Sequence, residues 1–278
     1  MFNTLNTSSQ VIIIGFIIVL LGLVFNYSFK LIETAYVVKY RKPFFNHFYI
    51  ILKQLNANDR NFLKNSFKFY SRLSFKEQKY FEHRLIRFKN DKDFLGREGV
   101  EVTEEMKILI SATAVMLTFG FREYLIPSIE RIVVYPDVFF STTNQTYNKG
   151  EFNPSLKSLV LSWKDFKKGY AIQDDNINLG IHEFTHAIQI NSIQSRDVSS
   201  IIFSDTFAEL SKLLHSEEYL KSSLVKSKYF RDYAYTNQFE FLAVALETFI
   251  ETPSEFKSQF PEIYYKIKQM LNFEVAGY

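Results

Sequence analysis

The sequence predicts an α+β domain, mostly helical with a small sheet, preceded by one N-terminal helix apolar enough to cross a membrane. Three observations carry this reading. An unbroken apolar run stands near the start of the chain, two short β-branched runs sit near its middle, and capped helical patterns flank those runs on both sides. The chain has 278 residues and is 47% hydrophobic, enough for one sizeable core, and it contains no internal repeat or low-complexity linker.

No charged side chain occurs before Lys30, and "VIIIGFIIVLLGLVF" (Val11–Phe25), interrupted only by two glycines, extends through Phe29 as an apolar stretch. That is about the 17–20 residues a spanning helix needs. A buried helix of a soluble protein would show a polar face, and this one shows none. A cleaved signal peptide would carry a basic leader and a small-x-small site, and neither is present. The reading is therefore an N-terminal tail over residues 1–10, a transmembrane anchor over 11–29 and a basic juxtamembrane segment over 30–42. Lys30, Lys39, Arg41 and Lys42 all follow the span, so the positive-inside rule places the remainder of this single-pass chain on the cytoplasmic side.

Pro43 opens the globular part, residues 43–278. "LSFKEQKYFEHRLIRF" (Leu73–Phe88) begins with a capping box, Ser74 at the N-cap and Glu77 at N3, and continues with helical apolar spacing. "VTEEMKILISATAVMLTFGF" (Val102–Phe121) has Thr103 as cap and acids in its first turn. Its apolar part is too short to span a bilayer, so it reads as a buried core helix. "RIVVYP" (Arg131–Pro136) and "SLVLSW" (Ser158–Trp163) read as strands, and the polar stretch Ser141–Lys157 between them as a loop able to cover a site. "SLVLSW" is also a plausible sheet edge for an extended peptide. Helical patterns follow at Ile177–Asn191, about Ile201–His215, Asn237–Glu251 and Pro261–Leu271.

Composition excludes several functions. A formal charge of +3 with no basic stripe argues against direct nucleic-acid binding. The absence of cysteine removes disulfides, thiolate ligands and a cysteine nucleophile. What remains is "GIHEFTHAIQ", in which His182 and His186 stand four apart with Glu183 between them. On a helix, positions i and i+4 share a face, so two imidazoles can reach one metal ion. Glu183 projects about 100° further round and can hold a water without ligating the ion. Two histidines need a third protein ligand and an open position. Ser192 stands where an extended metzincin pattern wants histidine, and Thr206 stands near where a thermolysin-like pattern wants a carboxylate. Asp205, Glu209, Glu240 and Glu247 remain as acidic candidates. His215, followed by two glutamates, reads as a surface residue. Glu240 and Glu247 fall seven apart on one face of the late helix, and a carboxylate buried there requires a cation or several donors.

"HEFTH" followed by "YAYTNQFEFLAVALETFIETPSEFKSQFPEIYYKI", together with the upstream "LSFKEQ", "VVYPDVF" and "SLVLSW", resembles the Mlc titration factor A family of zinc peptidases from about Leu73 to Leu271. The resemblance implies a zincin-like domain of the gluzincin type, similar to the lethal-factor site. It implies Zn²⁺ held by His182, His186 and Glu240, with Glu183 as catalytic acid and base and Tyr233 facing the site. Glu247, Glu209 and Asp205 are then candidates to orient a histidine. The expected function is a membrane-anchored zinc metallopeptidase acting on a peptide or protein. The alternative is a regulatory binding protein that sequesters a transcriptional repressor through a zinc-stabilised fold, because the family's namesake binds such a repressor.

Overall fold

The apolar run forms helix α1 (Thr7–Tyr40) in the computed structural model, which describes residues 6–172 and 174–278. The Asn6 side chain caps it by accepting from Ser9 N, and Arg41, in the left-handed region at φ 53°, ends it. The helix is long and apolar enough to cross a membrane, with a mean hydropathy of 2.6 in its most apolar window. It runs further in both directions than the expected anchor. Charged residues end a lipid-facing stretch but not helix propagation, so α1 continues through Lys30 and Lys39 until Arg41, two residues before Pro43. Residues 1–5 of the expected tail lie outside the described residues, and residues 7–10 already belong to α1. The chain divides into two compact units, the first ending at Phe44 and the second spanning Phe45–Tyr278.

The second unit is mostly helical with a small sheet. After α2 (Ala57–Ser66) and α3 (Lys68–Arg72), α4 (Phe75–Asp91) begins with the expected capping box: Ser74 Oγ accepts from Glu77 N, and Glu77 Oε2 accepts from Ser74 N. Strand β1 (Asp93–Gly96) and α5 (Glu104–Leu117) follow. The latter is buried along most of its length, as a core helix should be. The remaining strands are β2 (Arg131–Tyr135), β3 (Phe139–Ser141), β4 (Thr146–Asn148), β5 (Gly150–Asn153) and β6 (Ser158–Ser162). The sheet order is β1-β2-β6-β5, with the first three parallel and β5 antiparallel to β6, while β3 and β4 form a separate hairpin. Ile132, Val134, Leu159 and Leu161 are fully buried and fall at alternate positions, so they share the core face of the sheet.

Two expectations fail here. The stretch 141–157 is not a loop, because it holds β4 and β5. Strand β5 reads "GEFN" and carries little strand propensity; it exists because its backbone pairs with β6, Glu151 opposite Val160 and Phe152 opposite Leu159. For the same reason "SLVLSW" is not an edge. Strand β6 is paired on both sides, by β2 and β5, and the free edges are β1 and β5.

The C-terminal half supplies α6 (Trp163–Ala171), α7 (Leu179–Gln194), α8 (Val198–Ser216), α9 (Glu218–Ser227), a 3₁₀ turn (Asp232–Tyr235), α10 (Gln238–Glu251), α11 (Pro253–Gln259) and α12 (Pro261–Met270). Helix α7 lies deep in the unit, with Ile181, Phe184, Ala187 and Ile188 all buried. Its close approach to α6 depends on Gly180, where a Cβ would stand 2.6 Å from Phe166 Cε2. Gly180→Ala should therefore destabilise the protein by about 1–3 kcal/mol through overpacking, read as a lower denaturant midpoint at unchanged slope.

Candidate metal centre

Helix α7 starts where Asn178 caps it. The Asn178 side-chain oxygen accepts from Ile181 N at 3.1 Å, and its Nδ2 donates to Gly169 O at 2.8 Å. From this cap the helical repeat carries His182 and His186 along one face toward α10, whose cap Asn237 accepts from Phe239 N and Glu240 N. Glu240 therefore stands in the first turn of α10, facing the histidine pair.

Three atoms converge. His182 Nε2 is 3.1 Å from Glu240 Oε2, His186 Nε2 is 3.5 Å from the same oxygen, and the two ring nitrogens are 3.2 Å apart. Among the described residues this is the one group of three or more side chains with metal-ligating atoms gathered at a single point. Glu240 Oε2 is buried and makes no hydrogen bond of acceptable geometry, despite its closeness to both rings. Two ring nitrogens and a carboxylate oxygen gathered at one point suit a cation. A tetrahedral zinc with bonds of about 2.0–2.2 Å would space its ligands by roughly 3.3–3.6 Å, and the triangle, with sides of 3.1, 3.2 and 3.5 Å, comes within a few tenths of an ångström of that size.

The proton arrangement supports this. His182 Nδ1 lies 2.8 Å from Glu247 Oε1, and the carboxylate there accepts from Nδ1–H, so in the neutral ring the Nε2 lone pair is turned to the centre. Glu247 itself has no exposure. Arg231 grips it at two points, Nη2 to Oε1 at 2.6 Å and Nη1 to Oε2 at 3.1 Å, and Asn178 N donates to Oε2 at 2.6 Å. Arg231 Nη2 also lies 3.3 Å from His182 Nδ1; with a proton on that nitrogen both are donors, so the bond belongs to Glu247. Arg231 had no signal of its own in the sequence. The requirement that a buried glutamate find a cation would have pointed to it.

Glu183 is 7% exposed, and burial pushes its carboxyl above the usual range against the downward pull of His182 and His186. Strand β5 lies directly against it. A Cβ at Gly150 would stand 2.5 Å from Glu183 Oε1 and 2.7 Å from Cγ, so any larger residue there would displace the Glu183 side chain. Tyr233, half exposed on the 3₁₀ turn, has its ring centroid 5.9 Å from that of His182. Its hydroxyl is held above its ordinary pKa by burial first and then by the charge of Glu240.

The other candidates fall elsewhere. Glu209 accepts from Lys266 Nζ at 2.6 Å, and exposed His215 sits with Nδ1 2.6 Å from Ser211 O at the end of α8. Neither these nor Asp205 belongs to the converging group.

Two histidines and a glutamate turned to one point from adjoining helices, in a mostly helical domain with a small sheet, define a metallopeptidase-like protein. The chain belongs to the glucose-regulated metallo-peptidase M90 family, whose model matches residues 48–272. This agrees with the resemblance to the Mlc titration factor A family. The chain is also similar to an uncharacterized protein of Synechocystis sp., at 25% identity over 215 residues, which is 72% of this chain and 78% of the relative.

Glu247→Gln should leave the helix in place but weaken retention of Zn²⁺ by about 10–100-fold, measured by competition with a chromophoric chelator. In the metal-free protein burial depresses His182, but Glu240 and Glu247 outweigh it and raise the pKa to about 9. The ring therefore keeps a proton at neutral pH that a metal must expel. Apparent Zn²⁺ affinity should rise by about tenfold per pH unit between pH 6 and 8. The raised value also stabilises the metal-free fold below the ordinary histidine value of 6.5, a contribution lost as pH climbs through about 9. Thermal melts of metal-free protein across that window check this second sign.

Proposed function

We propose that this chain is a membrane-anchored zinc metallopeptidase of the gluzincin type, with a zincin-like domain on the cytoplasmic side of α1. The observation that carries it is the triangle of His182 Nε2, His186 Nε2 and Glu240 Oε2 with a buried carboxylate, Glu183, on the same helix. Zinc held by those three atoms would supply Lewis acidity, lowering the pKa of a water toward about 7 and polarising a peptide carbonyl.

The chain's own residues divide the remaining work. Glu183, raised by burial, is suited to take a proton from the attacking water and return it to the departing amine. Tyr233 keeps its proton at neutral pH and offers that hydroxyl to the oxygen on which charge develops. Glu247, Arg231 and Asn178 hold His182 in one tautomer and one rotation. An extended peptide could pair with the free edge of β5, beside Gly150 and therefore beside Glu183. Support for the anchor is the length and apolarity of α1, and support for its orientation is the cluster of basic residues that follows the span.

Glu183→Gln should keep its zinc, because the residue is not a ligand, and lose peptide cleavage by roughly 10²–10⁴-fold. Glu240→Ala should lose zinc. Tyr233→Phe should lower kcat by up to about 10²-fold with zinc content unchanged. If Glu183→Gln retained full biological activity in cells, the peptidase reading would fall and the sequestration of a repressor would take its place.

A further inference from the structure

The segment that opens the second unit is built inside out. Residues 45–55 form neither helix nor strand, yet they are held at many points. Asn46 O accepts from Arg84 Nη2 at 2.8 Å, and Asn46 Oδ1 accepts from Asn272 Nδ2 at 3.2 Å. The His47 ring stacks on Tyr80, and the Tyr49 hydroxyl accepts from Arg84 Nε at 2.6 Å. Lys53 N donates to His83 Nδ1 and Leu55 N to Glu82 Oε2, at 3.0 and 2.9 Å. The polar and hydrogen-bonding groups thus face the protein. Between them the large apolar side chains face away: Phe48 is 76% exposed, Ile50 91% and Ile51 80%, with Phe45 at 40%. This is the reverse of what water selects, and the hydrogen bonds prevent the segment from turning its apolar residues inward.

We propose that Phe45, Phe48, Ile50 and Ile51 are a membrane-interface contact, inserted among the headgroups of the bilayer that α1 enters. The inference rests on α1 being a membrane anchor. Connection to α1 argues for lipid as the occupant: α1 ends at Tyr40, and the ten residues from there to Ile50 reach at most about 33–36 Å when fully extended, so the patch stays tethered within that distance of the end of the anchor helix. Exposed Lys39, Lys42 and Lys53 flank it and match anionic headgroups.

The chain has no cysteine, so single reporters can be placed cleanly in the full-length protein. Leu20→Cys in α1, Ile50→Cys in the segment and Tyr147→Cys on the exposed β3–β4 hairpin would each carry an environment-sensitive fluorophore. Reconstitution is into phosphatidylcholine–phosphatidylglycerol vesicles containing lipids spin-labelled at a shallow or a deep position. The expected result is deep quenching at Leu20, shallow quenching at Ile50 and none at Tyr147. Quenching at Leu20 without quenching at Ile50 would overturn the contact while leaving the anchor intact. Absence of quenching at both would remove the anchor and the contact together. An Ile50 label protected from aqueous iodide but untouched by either lipid quencher would assign the patch to a second copy or a protein partner and overturn the proposal. Equal shallow quenching at Ile50 and Tyr147 would overturn it as well, since the effect would not be particular to this segment.

Discussion

A carboxylate buried with no exposure obliges the fold to surround it with donors, and in this protein that carboxylate is Glu247. Leaving it uncompensated would cost on the order of 3–5 kcal/mol. Its needs are met from three places at once: the N-terminus of α7 through Asn178 N, the ring of His182, and the guanidinium of Arg231 just before the 3₁₀ turn. Each partner is also a part of the site. The cap fixes where α7 begins, the ring presents a metal-ligating nitrogen, and the arginine tethers the segment that carries Tyr233. Two segments distant in sequence, the start of α7 and the stretch before the 3₁₀ turn, are thereby brought into register with α10 by one side chain.

This arrangement also accounts for the uneven charge of the centre. Glu183, Glu240 and Glu247 crowd around two histidines, and of the three carboxylates the Arg231 guanidinium donates to Glu247. Burial first, and the neighbouring carboxylates after it, raise Glu183, and Glu240 and Glu247 hold the His182 proton to about 9 in the metal-free state. A divalent cation at the triangle relieves both. The electrostatics of this cluster are thus compatible with a cation at the triangle.

Much of the helical framework was legible in the sequence because helices announce their ends. Ser74 with Glu77, Thr103 with its acidic first turn, and Pro253 after α10 each mark a boundary that the structure reproduces within a few residues. The ligand-bearing stretch "HEFTH" was legible because spacing alone puts both rings on one face. What escaped depended on partners. Strand β5 is polar, short and half-buried, and nothing in "GEFN" reveals that β6 waits beside it. Nor could "SLVLSW" show that it would be covered on both flanks, because an apolar run looks alike at the edge and in the middle of a sheet. Arg231 was hidden for a related reason: its role exists only once Glu247 is known to be buried.

The near contact of Gly150 with Glu183 ties the strand to the helix. Any side chain arriving at 150 occupies the space of the glutamate, and any displacement of the glutamate opens a void beside the strand. The edge strand and the histidine helix, though far apart along the chain, thus share one small volume, so a substitution at either position is expected to be felt at the other.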